Sequence, residues 1–212
     1  MVKVKICGIT NLEDALLACD YGADALGFNF YERSSRYIAP RKARQIIQKL
    51  PSFIQTVGIF VGDTPEGINE ICSETGISLA QLHDDTLLVQ AVRSISVRVL
   101  KTFRVQPGFK VTDVKKFYQQ TGINNFLFDA FHEKILGGTG KQIQAEQAAK
   151  LTAFVSKFGY SVIAGGLNEK NIKQVVKAVQ PYAVDVASGI EAEVGKKDPE
   201  KMRLFIKRAK SA

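Results

Sequence analysis

Short apolar runs alternate along this chain with segments whose apolar positions repeat at helical spacing, and the rhythm persists from the first residues to the last. Runs at 2–7, 24–30, 53–61, 79–83, 97–104, 125–131, 161–165 and 183–187 are rich in Val, Ile, Leu and Phe and predict strands. The segments 12–21, 40–50, 65–75, 86–94, 112–121, 144–158, 169–179 and 199–210 predict helices. Asn11, Thr64 and Asp198 stand where a side chain caps the first free amides, and Pro65 and Pro199 occupy the first turn, where a missing N–H costs nothing.

Strands separated by single helices pair in parallel through right-handed crossovers, and eight such units close most simply into a (β/α)₈ TIM barrel. An open doubly wound sheet is the alternative. At 212 residues the chain is near the lower size limit for the barrel, so its loops must be short. No stretch rich in Pro, Gly or Ser marks a linker, and residues 1–212 read as a single domain.

Composition narrows the class. With 45% hydrophobic and 24% charged residues the chain is neither disordered, collagen-like nor a coiled coil. Lys3 and Lys5 interrupt the first apolar residues, and no run approaches the ~20 apolar positions of a membrane helix, so a cytoplasmic protein without a membrane partner is expected. Cys7, Cys19 and Cys72 show no paired spacing, which argues for reduced thiols and against a structural zinc. The 29 basic against 21 acidic residues give +8. They are dispersed at helical spacing without a basic and aromatic cassette, so no nucleic acid is expected and a small anionic substrate fits better.

Strand parity turns the barrel into a site prediction, because alternate residues point inward and function collects at the strands' C-terminal ends. If Val4 and Ile6 face the helices, then Lys3, Lys5 and Cys7 face in. By the same count Gln81 and His83, Leu127 and Asp129, and Asp185 face in, so Cys7, His83, Asp129 and Asp185 converge on one mouth. A buried Lys5 requires a counter-ion, and Asp185 on the strand adjoining it after closure is the candidate. Taken singly, Cys7 reads equally as a small buried hydrophobe, Asp129 as a loop cap and His83 as a hydrogen-bonding core residue. Glycines end the later strands: Gly165 with Gly166, then Ser188 with Gly189, and Gly137, Gly138 and Gly140 follow the sixth. Backbone amides after strands seven and eight, with a short extra helix at 190–194, suit a phosphate ester.

These residues resemble one family, the phosphoribosylanthranilate isomerases of tryptophan biosynthesis. The matching segments are K-I-C-G-I-T at 5–10, G-A-D-A-L-G-F at 22–28, S-S-R-Y at 34–37, V-G-I-F-V at 57–61, Q-L-H at 81–83, G-G-T-G at 137–140, A-G-G-L at 164–167, D-V-A-S-G-I-E at 185–191 and G-K-K-D at 195–198. The resemblance implies an Amadori rearrangement of N-(5-phosphoribosyl)anthranilate to 1-(2-carboxyphenylamino)-1-deoxyribulose 5-phosphate, without metal or cofactor. It casts Asp129 as general acid and Cys7 as general base. Lys5, counted with the substrate-binding residues, is a nearby source of positive field that lowers the thiol's pKa. Arg36 is implied to bind the anthranilate carboxylate, His83 and Asp185 the sugar, and Gly165, Gly166, Ser188 and Gly189 the phosphate. Asp84 stands where the family usually has glycine, and the segment after Lys141 lacks its usual aromatic or acidic start. Two other readings stay open. One is a sister phosphosugar barrel, whose metal-dependent forms need more histidines than His83 and His132; the other is a non-catalytic phosphate binder on the same barrel. Monomer and homodimer are both compatible with these helices.

Overall fold

The computed structural model describes residues 1–83, 87–106, 108–130 and 145–212. Eight parallel strands form a closed barrel in the order β1 to β8: β1 Lys3–Cys7, β2 Ala25–Asn29, β3 Gln55–Phe60, β4 Leu79–Leu82, β5 Arg98–Val105, β6 Asn125–Ala130, β7 Tyr160–Ile163 and β8 Ala183–Val186. The helices are α1 Leu12–Asp20, α2 Pro40–Ile47, α3 Pro65–Thr75, α4 Val89–Val92, α5 Val111–Thr121, α6 Ala145–Val155, α7 Ile172–Val179 and α8 Pro199–Lys210. The TIM barrel expected from the alternation is the observed fold, and the open sheet is excluded by the pairing of β1 with β8.

Closure follows from which faces are apolar. Outward residues such as Val4, Ile6, Phe28, Ala80, Val184 and Val186 pack with Ala15, Ile46, Ile68 and Phe205 of the surrounding helices. On the β5 to β7 side Phe103, Phe109, Phe117, Phe126 and Phe128 form an aromatic cluster under α5 and α6. Inside the barrel Leu100, Leu127, Val162 and Ala183 fill the floor below the site.

Several boundaries differ from the sequence pattern. Phe53 is fully exposed and β3 starts only at Gln55. The predicted helix at 40–50 ends at Ile47, and that at 86–94 is reduced to Val89–Val92, with Thr86 outside the described residues. Lys3, placed inside by parity, has a side chain 52% exposed at the barrel's N-terminal end, where it pairs with Asp24 at 3.0 Å. Parity fixes the side of the sheet but not the depth. The extra helix expected at 190–194 is instead a 3-10 turn at Ser188–Ile190 followed by an antiparallel hairpin, β9 Glu191–Glu193 and β10 Lys196–Lys197. Gly195, with φ 83°, supplies the left-handed residue of its turn.

Candidate active site

A cavity of about 420 Å³ opens at the C-terminal ends of the strands. Cys7 from β1, His83 after β4, Asp129 from β6 and Asp185 from β8 all line it. So do Arg36, Gly165, Gly166, Ser188 and Gly189, while Lys5 lies one step deeper.

The register pairs Lys5 with Asp185 across the seam, and their side chains meet at 2.7 Å with Lys5 only 4% exposed. Burial alone lowers a lysine's pKa, but Asp185 and the Cys7 thiol outweigh it and hold the ammonium above its ordinary value. For Cys7 the balance is opposite. Dehydration pushes the thiol up, Lys5 and Lys197 pull it down, Asp185 pushes it up again, and the result is a raised pKa. Lys5 therefore acts in the expected direction but does not set the outcome. Gly27 of β2 makes the space: a Cβ there would lie 3.0 Å from the Cys7 sulfur and 3.1 Å from the Lys5 ammonium.

Asp129 sits across the cavity, 8% exposed, with His83 Nε2 3.8 Å from its Oδ2. The Gln81 amide nitrogen is 3.5 Å from His83 Nδ1, and Arg104, the register partner of Asp129, donates to the His83 carbonyl at 2.9 Å. The imidazole thus lies between Gln81 and Asp129, while Arg104 holds its main chain.

Arg36 reaches the mouth from the loop after β2, where the Ser34 hydroxyl, held by Asn29, accepts from its amide at 3.1 Å. Its aliphatic stem lies over Gly8, φ +74°, where a Cβ would come within 2.6 Å of Arg36 Cδ. Its Nε and Nη2 donate to the two carboxylate oxygens of Glu191 at 2.8 and 2.6 Å. Lys197, whose side chain is wholly buried, donates to Glu191 Oε1 at 3.0 Å. Burial works against the Glu191 carboxylate, yet Arg36 and Lys197 together hold its pKa below the ordinary value. Glu191 and Lys197 stand within the motifs D-V-A-S-G-I-E and G-K-K-D, and the motifs themselves point to no role for either. Two opposite charges flanking a turn glycine are the available signal, but a helix expected at 190–194 hides the hairpin that brings them face to face.

On the opposite rim Gly165 and Gly166 adopt left-handed φ of 88° and 65°. Gly189 passes so close to the Leu167 carbonyl that any Cβ would overlap it. The glycines 137, 138 and 140, with Asp84, His132 and residues 141–144, lie outside the described residues. Among the described residues no group of three His, Cys, Asp or Glu side chains is arranged to hold a metal.

A closed parallel barrel with a cavity at the C-terminal ends of its strands defines the class, a TIM-barrel protein. The family profile described as N-(5'-phosphoribosyl)anthranilate (PRA) isomerase matches residues 4–208. The N-(5'-phosphoribosyl)anthranilate isomerase of Chloroherpeton thalassium is 52% identical over 212 residues, all of this chain and 97% of the relative. A solved phosphoribosyl anthranilate isomerase in complex with reduced 1-(o-carboxyphenylamino)-1-deoxyribulose 5-phosphate is 38% identical, with TM-score 0.83 over all of both chains. Another, described as mutually generated monomers of dimeric phosphoribosylanthranilate isomerase from Thermotoga maritima, is 36% identical with TM-score 0.82 over all of both chains. The chain belongs to the N-(5'-phosphoribosyl)anthranilate isomerase family and is an intramolecular isomerase.

Proposed function

We propose that the protein converts N-(5-phosphoribosyl)anthranilate into 1-(2-carboxyphenylamino)-1-deoxyribulose 5-phosphate, the family's step in tryptophan biosynthesis. The observation that carries this reading is the convergence of the Cys7 thiol and the Asp129 carboxyl, from β1 and β6, on one cavity. Protonated Asp129 donates to the furanose ring oxygen; the bond from that oxygen to C1 breaks, and the anilino nitrogen supplies the electron pair for a C1=N Schiff base. The Cys7 thiolate removes the C2 proton, and those electrons form C1=C2 as the iminium returns to an amine. Proton transfer to C1 and loss of the C2 hydroxyl proton then give the ketone. Both transfers run on protein groups and require no metal or cofactor.

Arg36 takes the anthranilate carboxylate through its guanidinium fork. The amides of Gly165, Gly166, Ser188 and Gly189 take the phosphate, and glycine at these positions lets the backbone approach the anion. Asp185 contacts the sugar hydroxyls or fixes Lys5, and His83 lines the sugar beside Asp129. We read residues 1–212 as one domain, since β1 hydrogen-bonds β8 and α8 packs beneath β1, and we place the reaction in the cytoplasm, where a catalytic thiol stays reduced. Both monomer and homodimer remain in this reading, in line with the dimeric relative. Among the described residues no helix is long and apolar enough to cross a membrane.

The anthranilate fluorophore provides the test. Wild type converts the substrate with a change in emission, whereas Cys7→Ala and Asp129→Asn each lose on the order of 10²- to 10⁴-fold in kcat while still binding the reduced product analogue. Arg36→Met raises KM with less effect on kcat. Unchanged emission with wild type overturns the activity, and a fully active Asp129→Asn moves the acid elsewhere.

A further inference from the structure

Behind the Arg36 side of the cavity lies a group of buried charges that neither gives nor takes a proton in the proposed reaction. We infer that Glu191 is a positioning residue that presets Arg36 for a ligand carboxylate, and that Lys197 fastens this pair to the loop offering the phosphate amides. The inference rests on the carboxylate-binding role proposed for Arg36.

A guanidinium presents two edges, each able to hold a carboxylate with parallel hydrogen bonds. Glu191 occupies the edge made by Nε and Nη2, at 2.8 and 2.6 Å, from behind the cavity wall. The edge made by Nη1 and the second Nη2 hydrogen has no acceptor among the described residues, and Arg36 itself lines the cavity. One carboxylate therefore fixes the plane and direction of the fork before the other arrives, which removes the ordering cost from ligand binding.

Glu191 alone would cancel the charge of Arg36 and weaken its pull on an anion. Lys197 offsets this: its ammonium lies 3.0 Å from Glu191 Oε1, shut off from solvent, where burial lowers its pKa and the Glu191 carboxylate opposes the drop. The same ammonium donates to the Ala187 carbonyl at 3.2 Å, immediately before Ser188 and Gly189. Its own amide donates to Asp14 at 2.8 Å, and Lys201 donates to the Glu191 carbonyl at 3.0 Å, so the hairpin is anchored on both sides. Through Lys197 the carboxylate end and the phosphate end of the site share one brace.

Two ligands separate positioning from general support: the reduced aminoketose phosphate, and its phenylamino analogue lacking the ring carboxylate. Wild type prefers the carboxylated ligand and Arg36→Met abolishes the preference. Glu191→Gln weakens the carboxylated ligand by about tenfold or more, leaves the phenylamino ligand within about twofold, and adds nothing further in the Arg36→Met background. Because Glu191→Gln strands a buried cation, Glu191→Gln/Lys197→Met is measured as well, with the same loss of preference expected and cooperative unfolding retained. Equal weakening of both ligands makes the role merely structural and overturns the inference. So does tighter binding by Glu191→Gln, which would make Glu191 a competitor for Arg36, and so does an unchanged preference in both variants. A wild type without the preference overturns the Arg36 reading and this inference together.

Discussion

In the role proposed for it, the Cys7 thiol must be dry enough to be a strong base and charged often enough to act. Burial raises its pKa, Lys5 and Lys197 oppose the rise, and the net remains upward. A base with a raised pKa accepts a proton more strongly once ionised but is ionised more rarely at neutral pH, so Brønsted gain and thiolate fraction trade against each other. Raised pKa means the neutral thiol persists above the ordinary thiol range, and the thiolate fraction grows about tenfold per pH unit until the folded pKa is reached. Iodoacetamide labelling of Cys7, followed by peptide mass, is accordingly expected to be slow at neutral pH, with a midpoint above the ~8.5 of free cysteine. Cys72 stays unlabelled in the folded protein, since it is 3% exposed and burial pushes its thiol up to about 11. A Cys7 midpoint at or below that of free cysteine contradicts the burial argument. Strand parity made Cys7, His83, Asp129 and Asp185 legible because a pleat alternates sides with period two. Glu191 and Lys197 were not legible as partners of Arg36, because 155 residues separate Arg36 from Glu191 and only the closed barrel brings them together.

At the level of elements, helix starts were easier to read than helix ends. Asn11 accepts from the Asp14 amide at 2.8 Å, Thr64 from the Gly67 amide at 3.2 Å, and Asp198 from the Glu200 and Lys201 amides at 3.0 Å each. A cap is a local bond between near neighbours, so one residue type at one position announces it. Where α2 stops and where the chain turns after Ile190 depend on packing against other elements, and periodicity alone does not carry that. In the segment after β8, Glu191, Ala192 and Glu193 alternate as a strand does, and Gly195 turns the chain back so that Lys197 faces Glu191. The Asp198 cap is the hinge between this hairpin and α8, whose Met202, Phe205 and Ile206 are buried beneath the barrel. Replacing Asp198 with Ala frees two amides at once, and about 1 kcal/mol of stability should be lost in urea unfolding, whereas Asp198→Asn, which keeps an acceptor, should stay near wild type. Equal loss in both variants would assign the effect to charge and not to the cap.

For the molecule as a whole, the net charge of +8 is spread over the surface, and the charges that face the cavity are few. Arg33 and Arg36 line the cavity and Lys5 and Lys197 lie buried behind it, which suits the carboxylate and phosphate of the proposed substrate, while most other cations are dispersed over the helices. One of these cations also closes the barrel. Lys5 and Asp185 lie 180 residues apart, yet face each other at 2.7 Å where the first strand meets the last. The sequence made the pairing arguable because a lysine on an inward position has few partners, and closure leaves β8 as its neighbour. Such a pair is costly to break and cheaper to remove whole, since either charge alone is stranded in a dry interior. Lys5→Met and Asp185→Asn are each expected to cost roughly 3 to 5 kcal/mol of unfolding free energy, whereas the double variant should cost clearly less than their sum. Urea unfolding of the four proteins measures the coupling directly. Additive losses would mean that the two side chains support the fold independently, and closure would then rest on the backbone ladder between β1 and β8 and the apolar packing outside it.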